Sequence, residues 1–183
     1  MLQRINETDF PEIYRIMQAS FPDDEYRPYE EQIALFQEPE YRIYYMPAGF
    51  LAVWEFEAFT YIEHFAVDPA LRNSGTGSAM LQELIKQYQK PICLEVELPE
   101  DELTRRRIGF YERNGFVFNE YPYIQPPISK GKSPVPLRIM TYGCAITRET
   151  FEEMKEVLYR RVYKCRGNCS VGLRIHCADR MKT

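Results

Sequence analysis

The sequence predicts a single α/β (α+β) domain with a mixed, mostly antiparallel central sheet and helices on both faces. Three observations carry this. The 183 residues suffice for one real core and are short for two. Three consecutive segments rich in β-branched and aromatic residues, "YRIYYM", "GFLAVWEFEAF" and "TYIEHFAVD", are separated by "PAG" and a short turn, the pattern of an antiparallel meander. A helix-patterned stretch then separates "TYIEHFAVD" from the compact apolar "PICLEVEL", the pattern of a right-handed crossover between parallel strands.

The elements follow in order. "ETDFPEIYRIMQASF" reads as a first helix, with Asp9 three before Glu12 as a cap pair and Phe10, Ile13, Tyr14 and Met17 at helical spacing. "FPDDEYRPYEEQIALFQEP" gives an acidic, proline-broken loop and a short second helix ending before Pro39. After the meander, Met80, Leu81, Leu84, Ile85 and Tyr88 form a helical stripe that Pro91 ends. "DELTRRRIGFYERNGF" reads as the next helix, with Gly115 as a left-handed cap beyond its end. "YPYIQPPI" and "VPLRIMTYG" are strand candidates joined by the loop "SKGKSP". Thr147 can cap a last helix striped by Phe151, Met154, Leu158 and Val162. Residues 1–163 are read as the domain and 164–183 as a basic, cysteine-containing tail.

Composition narrows function. With 23 Lys and Arg against 27 Asp and Glu, the net charge of −4 lacks the basic surplus that nucleic-acid phosphates need, so no nucleic-acid partner is expected. "MLQRINETDF" has no apolar core of signal-peptide length, and "FLAVW" is far too short to span a bilayer, so a cytoplasmic protein without a membrane partner is expected. Five unevenly placed cysteines do not resemble a secreted disulfide framework. Cys165, Cys169, His176 and Cys177 invite a zinc reading, but a His-Cys pair after Cys-x3-Cys is no standard finger spacing, and no metal is expected.

The stretch "AVDPALRNSGTGSAM" places two of the chain's nine glycines at the start of a helix. One reading is a tight turn capped by Ser74 or Ser78. The other is an anion site: a helix N-terminus offers unpaired N–H groups, Gly75 and Gly77 clear the approach, and Arg72, Ser74, Thr76 and Ser78 add donors. A Walker loop needs Gly-Lys-Ser/Thr, and there is no lysine between Arg72 and Lys86. A dinucleotide fingerprint needs Gly or Ala where Met80 stands.

What fits is Arg-x-x-Gly-x-Gly, "RNSGTG", after a strand ending "HFAVDP", with "FYERNGF" at the end of the following helix. In these motifs the sequence resembles the GNAT superfamily of acyl-CoA-dependent N-acetyltransferases. The resemblance covers residues 1 to about 145 and implies a central sheet of about six to seven strands whose parallel pair splays apart. It implies acetyl-CoA as co-substrate, its pyrophosphate clasped by Arg72, Asn73, Ser74, Gly75, Thr76, Gly77 and Ser78. The pantetheine arm would lie on the backbone of Phe65, Ala66 and Val67. A Phe65 N–H would also steady the oxyanion, an effect worth ~3 kcal/mol per donor. Tyr111 would protonate the departing thiolate. Many members carry Asn seven before this tyrosine and a small residue four before it, where this chain has Thr104 and Arg107. Thr104 is a candidate pantetheine contact, and Arg107 either alters that contact or points away.

For the base, Glu63 shares strand parity with Phe65 and Val67, and Glu95 and Glu97 alternate with Leu94, Val96 and Leu98. Carboxylates flanked by apolar residues are open to desolvation and a raised pKa; the alternative is an exposed face or a pair with Arg106 or Arg107. Glu63 ranks first, and His64, of opposite parity, is expected to pack or face solvent. The acceptor is expected to be a small-molecule or peptide primary amine. Asp23, Asp24, Glu25, Glu30 and Glu31, with Tyr26 and Tyr29, would attract a cationic one or simply form a solvated loop. Catalytic loss, leaving a coenzyme A-binding regulatory protein, is the alternative that Thr104 and Arg107 raise. Exposed sheet edges make a homodimer an expected assembly.

Overall fold

The structure, a computed structural model, describes residues 1–47, 49–72 and 74–165. Its strands are β1 (Gln3–Arg4), β2 (Tyr41–Met46), β3 (Gly49–Glu55), β4 (Thr60–Val67), β5 (Ile92–Glu97), β6 (Phe116–Phe118), β7 (Tyr123–Gln125) and β8 (Val135–Tyr142). Its α-helices are α1 (Phe10–Ser20), α2 (Tyr29–Ala34), α3 (Thr76–Gln87), α4 (Glu102–Arg113) and α5 (Arg148–Val157). Among the described residues these strands form one sheet in the order β1-β2-β3-β4-β5-β8-β6, with β7 also on β8. β4 and β5 are parallel and the other pairings antiparallel. Eight strands exceed the expected six to seven because β1 and β6, of two and three residues, are too short to leave a periodic signature.

The two faces of the sheet carry separate cores. Phe10, Ile13 and Met17 of α1 and Phe151 and Met154 of α5 pack with Tyr41, Trp54, Tyr61 and Cys93 on one face. Met80, Leu81 and Leu84 of α3 and Ile108 and Tyr111 of α4 pack with Leu51, Ile62, Leu94 and Val96 on the other. The alternation of Cys93, Leu94, Glu95 and Val96 therefore sends Glu95 to the α1–α5 face, because Leu94 and Val96 belong to the α3–α4 face.

Thr147 caps α5 by accepting from the Thr150 N–H, and Gly115 follows α4 with φ of +90°. The first cap lies a turn earlier than expected: Asn6 and Asp9 form the capping box of a short 3-10 turn that leads into α1, and Asp9 makes no side-chain cap to α1 itself. After α5 the chain continues as a π-turn over Leu158–Val162. Residues 166–183, which hold Cys169, His176, Cys177 and most of the basic tail, lie outside the described residues, as does Asn73. No helix among the described residues is long and apolar enough to cross a membrane.

Candidate active site

The site is a gap in the sheet. β4 runs to Val67 and β5 to Glu97, yet they pair only at Thr60↔Ile92, Tyr61↔Cys93 and Ile62↔Leu94. The cause is visible on the other side of β4. Ala52 pairs with His64 but Val53 pairs with Ile62, so Glu63 is an extra residue, a β-bulge that twists the strand away from β5. The parting opens a cleft of about 710 Å³. It is lined by Phe65 and Val67 of β4, Glu95 and Glu97 of β5, Phe110 and Tyr111 of α4 and the turn that starts α3.

At that turn Gly75 is the N-cap of α3, with φ of +83° and no side-chain cap. A Cβ on Gly75 would meet no protein atom within 4 Å, so its role is conformational and its surroundings are open. Gly77 serves packing: a Cβ there would stand 3.4 Å from both Phe110 and Val67. The first intrahelical bond runs from the Ala79 N–H to the Gly75 carbonyl, so the N–H groups of the preceding turn have no helical partner. The side chains are organised around this end. Ser74 Oγ donates to the Leu71 carbonyl at 2.5 Å and lies 2.7 Å from Thr76 Oγ1; Asn114 Nδ2 donates to Ser78 Oγ at 3.1 Å; Arg72 Nε donates to the Val67 carbonyl at 3.1 Å. An uncapped, positively polarised helix end therefore faces the cleft.

The three candidate carboxylates have separate fates. The Glu63 side chain is 2% exposed, and Arg27 Nη1 donates to its Oε1 at 2.8 Å. Burial pushes this carboxyl up, but the Arg27 charge and its hydrogen bond outweigh it and hold Glu63 below the usual carboxylate range. The expected raised pKa is corrected here: Glu63 is an ionised partner in a buried pair, a poor proton acceptor. Arg27, 4% exposed, also donates to the Val162 carbonyl at 3.1 Å. Glu97 pairs with Arg107 at the cleft rim, so Arg107 is held by β5.

Glu95 has the raised pKa. Tyr61 and Tyr163 hydroxyls donate to its Oε2 at 2.9 and 2.8 Å, and Tyr123 donates to its Oε1. Burial pushes the Glu95 carboxyl up to about 7, against the three tyrosine hydrogen bonds, with the Glu63 charge adding to the rise. Beside it Gln125 Nε2 is buried without a hydrogen-bond partner at the cleft wall. Arg27, Gln125 and the tyrosine trio escaped sequence reading because they converge from four segments; the alternation of Tyr61 with Ile62 and of Cys93 with Leu94 was the available signal.

On the opposite face Tyr111 is 8% exposed, stacked edge-on against Phe110 and Phe116, and burial pushes its phenol up to about 12. Thr104 is corrected: its hydroxyl accepts from the Asp101 N–H and donates to Asp101, completing the capping box of α4, and it is not part of the cleft wall. His64 is buried, its Nε2–H donating to the Glu25 carbonyl at 2.8 Å, and burial pulls its pKa down, so the ring is neutral. Much of the acidic loop is tied to the loop before β8. Lys132 pairs with Asp23 at 2.6 Å, the Ser133 N–H donates to Asp24, and Ser129 Oγ donates to Glu31. Glu25 lines the cleft. Among the described residues no group of His, Cys, Asp and Glu could hold a metal ion.

A bulged strand that parts from its parallel neighbour above an uncapped glycine turn is the arrangement that the GNAT resemblance implies, and comparison with known proteins agrees. The family model for the acetyltransferase (GNAT) domain matches residues 33–118. A solved structure from Bacteroides thetaiotaomicron, described as a GNAT-family acetyltransferase, shares 34% identity over 91% of this chain and 99% of its own, with a TM-score of 0.85. This protein belongs to the GNAT acetyltransferase family. The same fold occurs in the ribosomal-protein-S18-alanine N-acetyltransferase of Escherichia coli, at 22% identity, TM-score 0.59 and 81% and 96% coverage of the two chains. It occurs also in a spermidine N-acetyltransferase chimera from Vibrio cholerae, at 14% identity, TM-score 0.59 and 78% and 93% coverage. A search of curated proteins by sequence found no match.

Proposed function

We propose that the protein is an N-acetyltransferase that moves the acetyl group of acetyl-CoA directly to a primary amine. The observation that carries this reading is the placement of two proton-handling groups on opposite faces of one gap: Glu95 on the α1–α5 face and Tyr111 on the α3–α4 face. Acetyl-CoA supplies an activated acyl group. The chain's own features fit it: the uncapped N-terminus of α3 suits a pyrophosphate, with open space at Gly75 and with Arg72, Ser74, Thr76 and Ser78 around it. Beyond the bulge the backbone of Phe65, Ala66 and Val67 offers the edge for the pantetheine arm, and a Phe65 N–H steadies charge on the carbonyl oxygen.

A primary ammonium of pKa ~10.4 must lose a proton before it attacks. Glu95, poised near neutrality at the cleft wall, takes that proton in place of Glu63. Tyr111, kept protonated by burial, donates to the departing sulfur. The acceptor is a small-molecule or peptide amine entering past Phe21 and Glu25, whose half-buried carboxylate favours positive charge. The alternative, a regulatory protein that binds coenzyme A without turnover, rests on the same two departures, with Arg107 held by Glu97 and Thr104 by Asp101.

Thiol release from acetyl-CoA across a panel of primary amines tests the proposal; coenzyme A binding without thiol release from any amine would sink it. Tyr111→Phe is expected to lower kcat by ~10²-fold or more with KM for acetyl-CoA little changed; an unchanged rate removes Tyr111 from the mechanism. Gly75→Glu is expected to weaken coenzyme A binding by ~10-fold or more, through a like charge at the phosphate end. Gly75→Ala, which bears only the left-handed backbone strain, is expected to lose ~1 kcal/mol of stability instead. Calorimetric titration and thermal melting separate the two.

A further inference from the structure

The C-terminal part of the described chain packs behind the cleft wall, where it meets Glu95. From Leu158 to Val162 the helix widens to a π-turn, closed by the Tyr163 N–H on the Leu158 carbonyl at 3.1 Å. Such single wide turns re-aim the residues that follow and recur at functional sites. Here the residue re-aimed is Tyr163, 8% exposed, whose hydroxyl lies on Glu95 Oε2 at 2.8 Å and 3.1 Å from the Tyr61 hydroxyl. Its neighbours in sequence are anchored to the rest of the fold: the Val162 carbonyl accepts from Arg27, Arg161 pairs with Glu40, and Lys164 pairs with Glu38 at 2.7 Å. A buried phenol needs some hydrogen-bond partner; here that partner is a carboxylate of the cleft wall.

We propose that Tyr163 is a positioning residue of the active site, its hydroxyl fixing the Glu95 carboxylate at the cleft wall, so that docking of the C-terminal turn and readiness to accept a proton are one event. This rests on the acetyltransferase reading for its purpose, but not for its chemistry. The groups that face Glu95 are Tyr61 and Glu63 of β4, with Arg27 behind Glu63, Tyr123 of β7, Tyr159 and Tyr163 after α5, and Cys93 on its own strand. The Tyr61, Tyr123 and Tyr163 phenols donate to the ionised carboxylate and so favour that form, whereas Tyr159 donates to the Ile124 carbonyl; removing one of the three raises the pH at which Glu95 ionises.

The full-length protein labelled with 13C at the glutamate side-chain carboxyl provides a test that needs no acceptor. The Glu95 resonance, assigned by its disappearance in Glu95→Gln, is expected to titrate with a midpoint near neutrality. Tyr163→Phe is expected to move it up by about one pH unit, the scale of one hydrogen bond to a charged group. An unmoved midpoint in folded Tyr163→Phe overturns the proposal. If that variant does not fold, the ring Cζ resonance of Tyr163 in labelled wild-type protein decides the matter: it must follow the Glu95 titration, and a pH-independent resonance overturns the proposal. In an active enzyme the acid limb of kcat/KM moves by the same amount as the resonance. A shifted resonance in a protein that turns over no amine leaves the Tyr163 contact standing and removes the acetyltransferase reading, so the two failures are distinct.

Discussion

Glu95→Gln is expected to lower kcat/KM by ~10²–10⁴-fold, the range for loss of a general base, and to abolish an acid limb near pH 7. The sign follows from the site. The carboxyl is raised to about 7 by burial, so it is protonated and useless as a base below that pH, and the wild-type rate climbs as pH rises through it. The same substitution has an opposite effect on folding. An acid whose pKa is higher folded than unfolded loses folding free energy as pH rises from its ordinary value through its raised one. Glutamine carries no such cost, so Glu95→Gln is expected to melt at a higher temperature than wild type at pH 8 and with less difference at pH 5. Activity lost with stability gained is the signature of a charge buried for function. A variant that keeps both the rate and the pH limb assigns the proton to another group.

Arg27→Met is expected to destabilise the protein by ~3–5 kcal/mol at pH 7, measured by urea unfolding, because it strands the Glu63 carboxylate in a site 2% exposed. It also removes the donor to the Val162 carbonyl. Glu63 is held below the ordinary carboxylate range, so the stabilisation from its ionised form is complete above that range and is lost as pH falls through the depressed value. The gap between wild type and Arg27→Met should therefore narrow on acidification toward pH 4, where the stranded carboxyl of the variant protonates. Adding Glu63→Leu to Arg27→Met is expected to recover much of the loss, since a buried pair replaced whole costs far less than a pair broken. If the single variant is as stable as wild type, the pair is not the anchor described.

Local structure was legible in the sequence. The helical stripes, the Gly75 turn and the Tyr111 position depend on neighbours within a few residues, and they stand where expected. What depended on the third dimension was not legible. Glu63 and Glu95 sit in similar apolar contexts on adjacent strands, yet one meets an arginine 36 residues away and the other three phenols from β4, β7 and the turn after α5. Strand parity alone favoured Glu63, because alternation cannot reveal the inserted residue in β4. Thr104 failed for a local reason: Asp101 three residues before it offers a capping box, which claims the hydroxyl.

The gap between β4 and β5 makes the sheet a partition with one window in it. In the proposed reaction the thioester comes in beside α3 and α4, and the amine past Phe21 and Glu25 at the end of α1. The residues on the amine side belong to other elements than those on the coenzyme side, so the first can be reshaped without rebuilding the second.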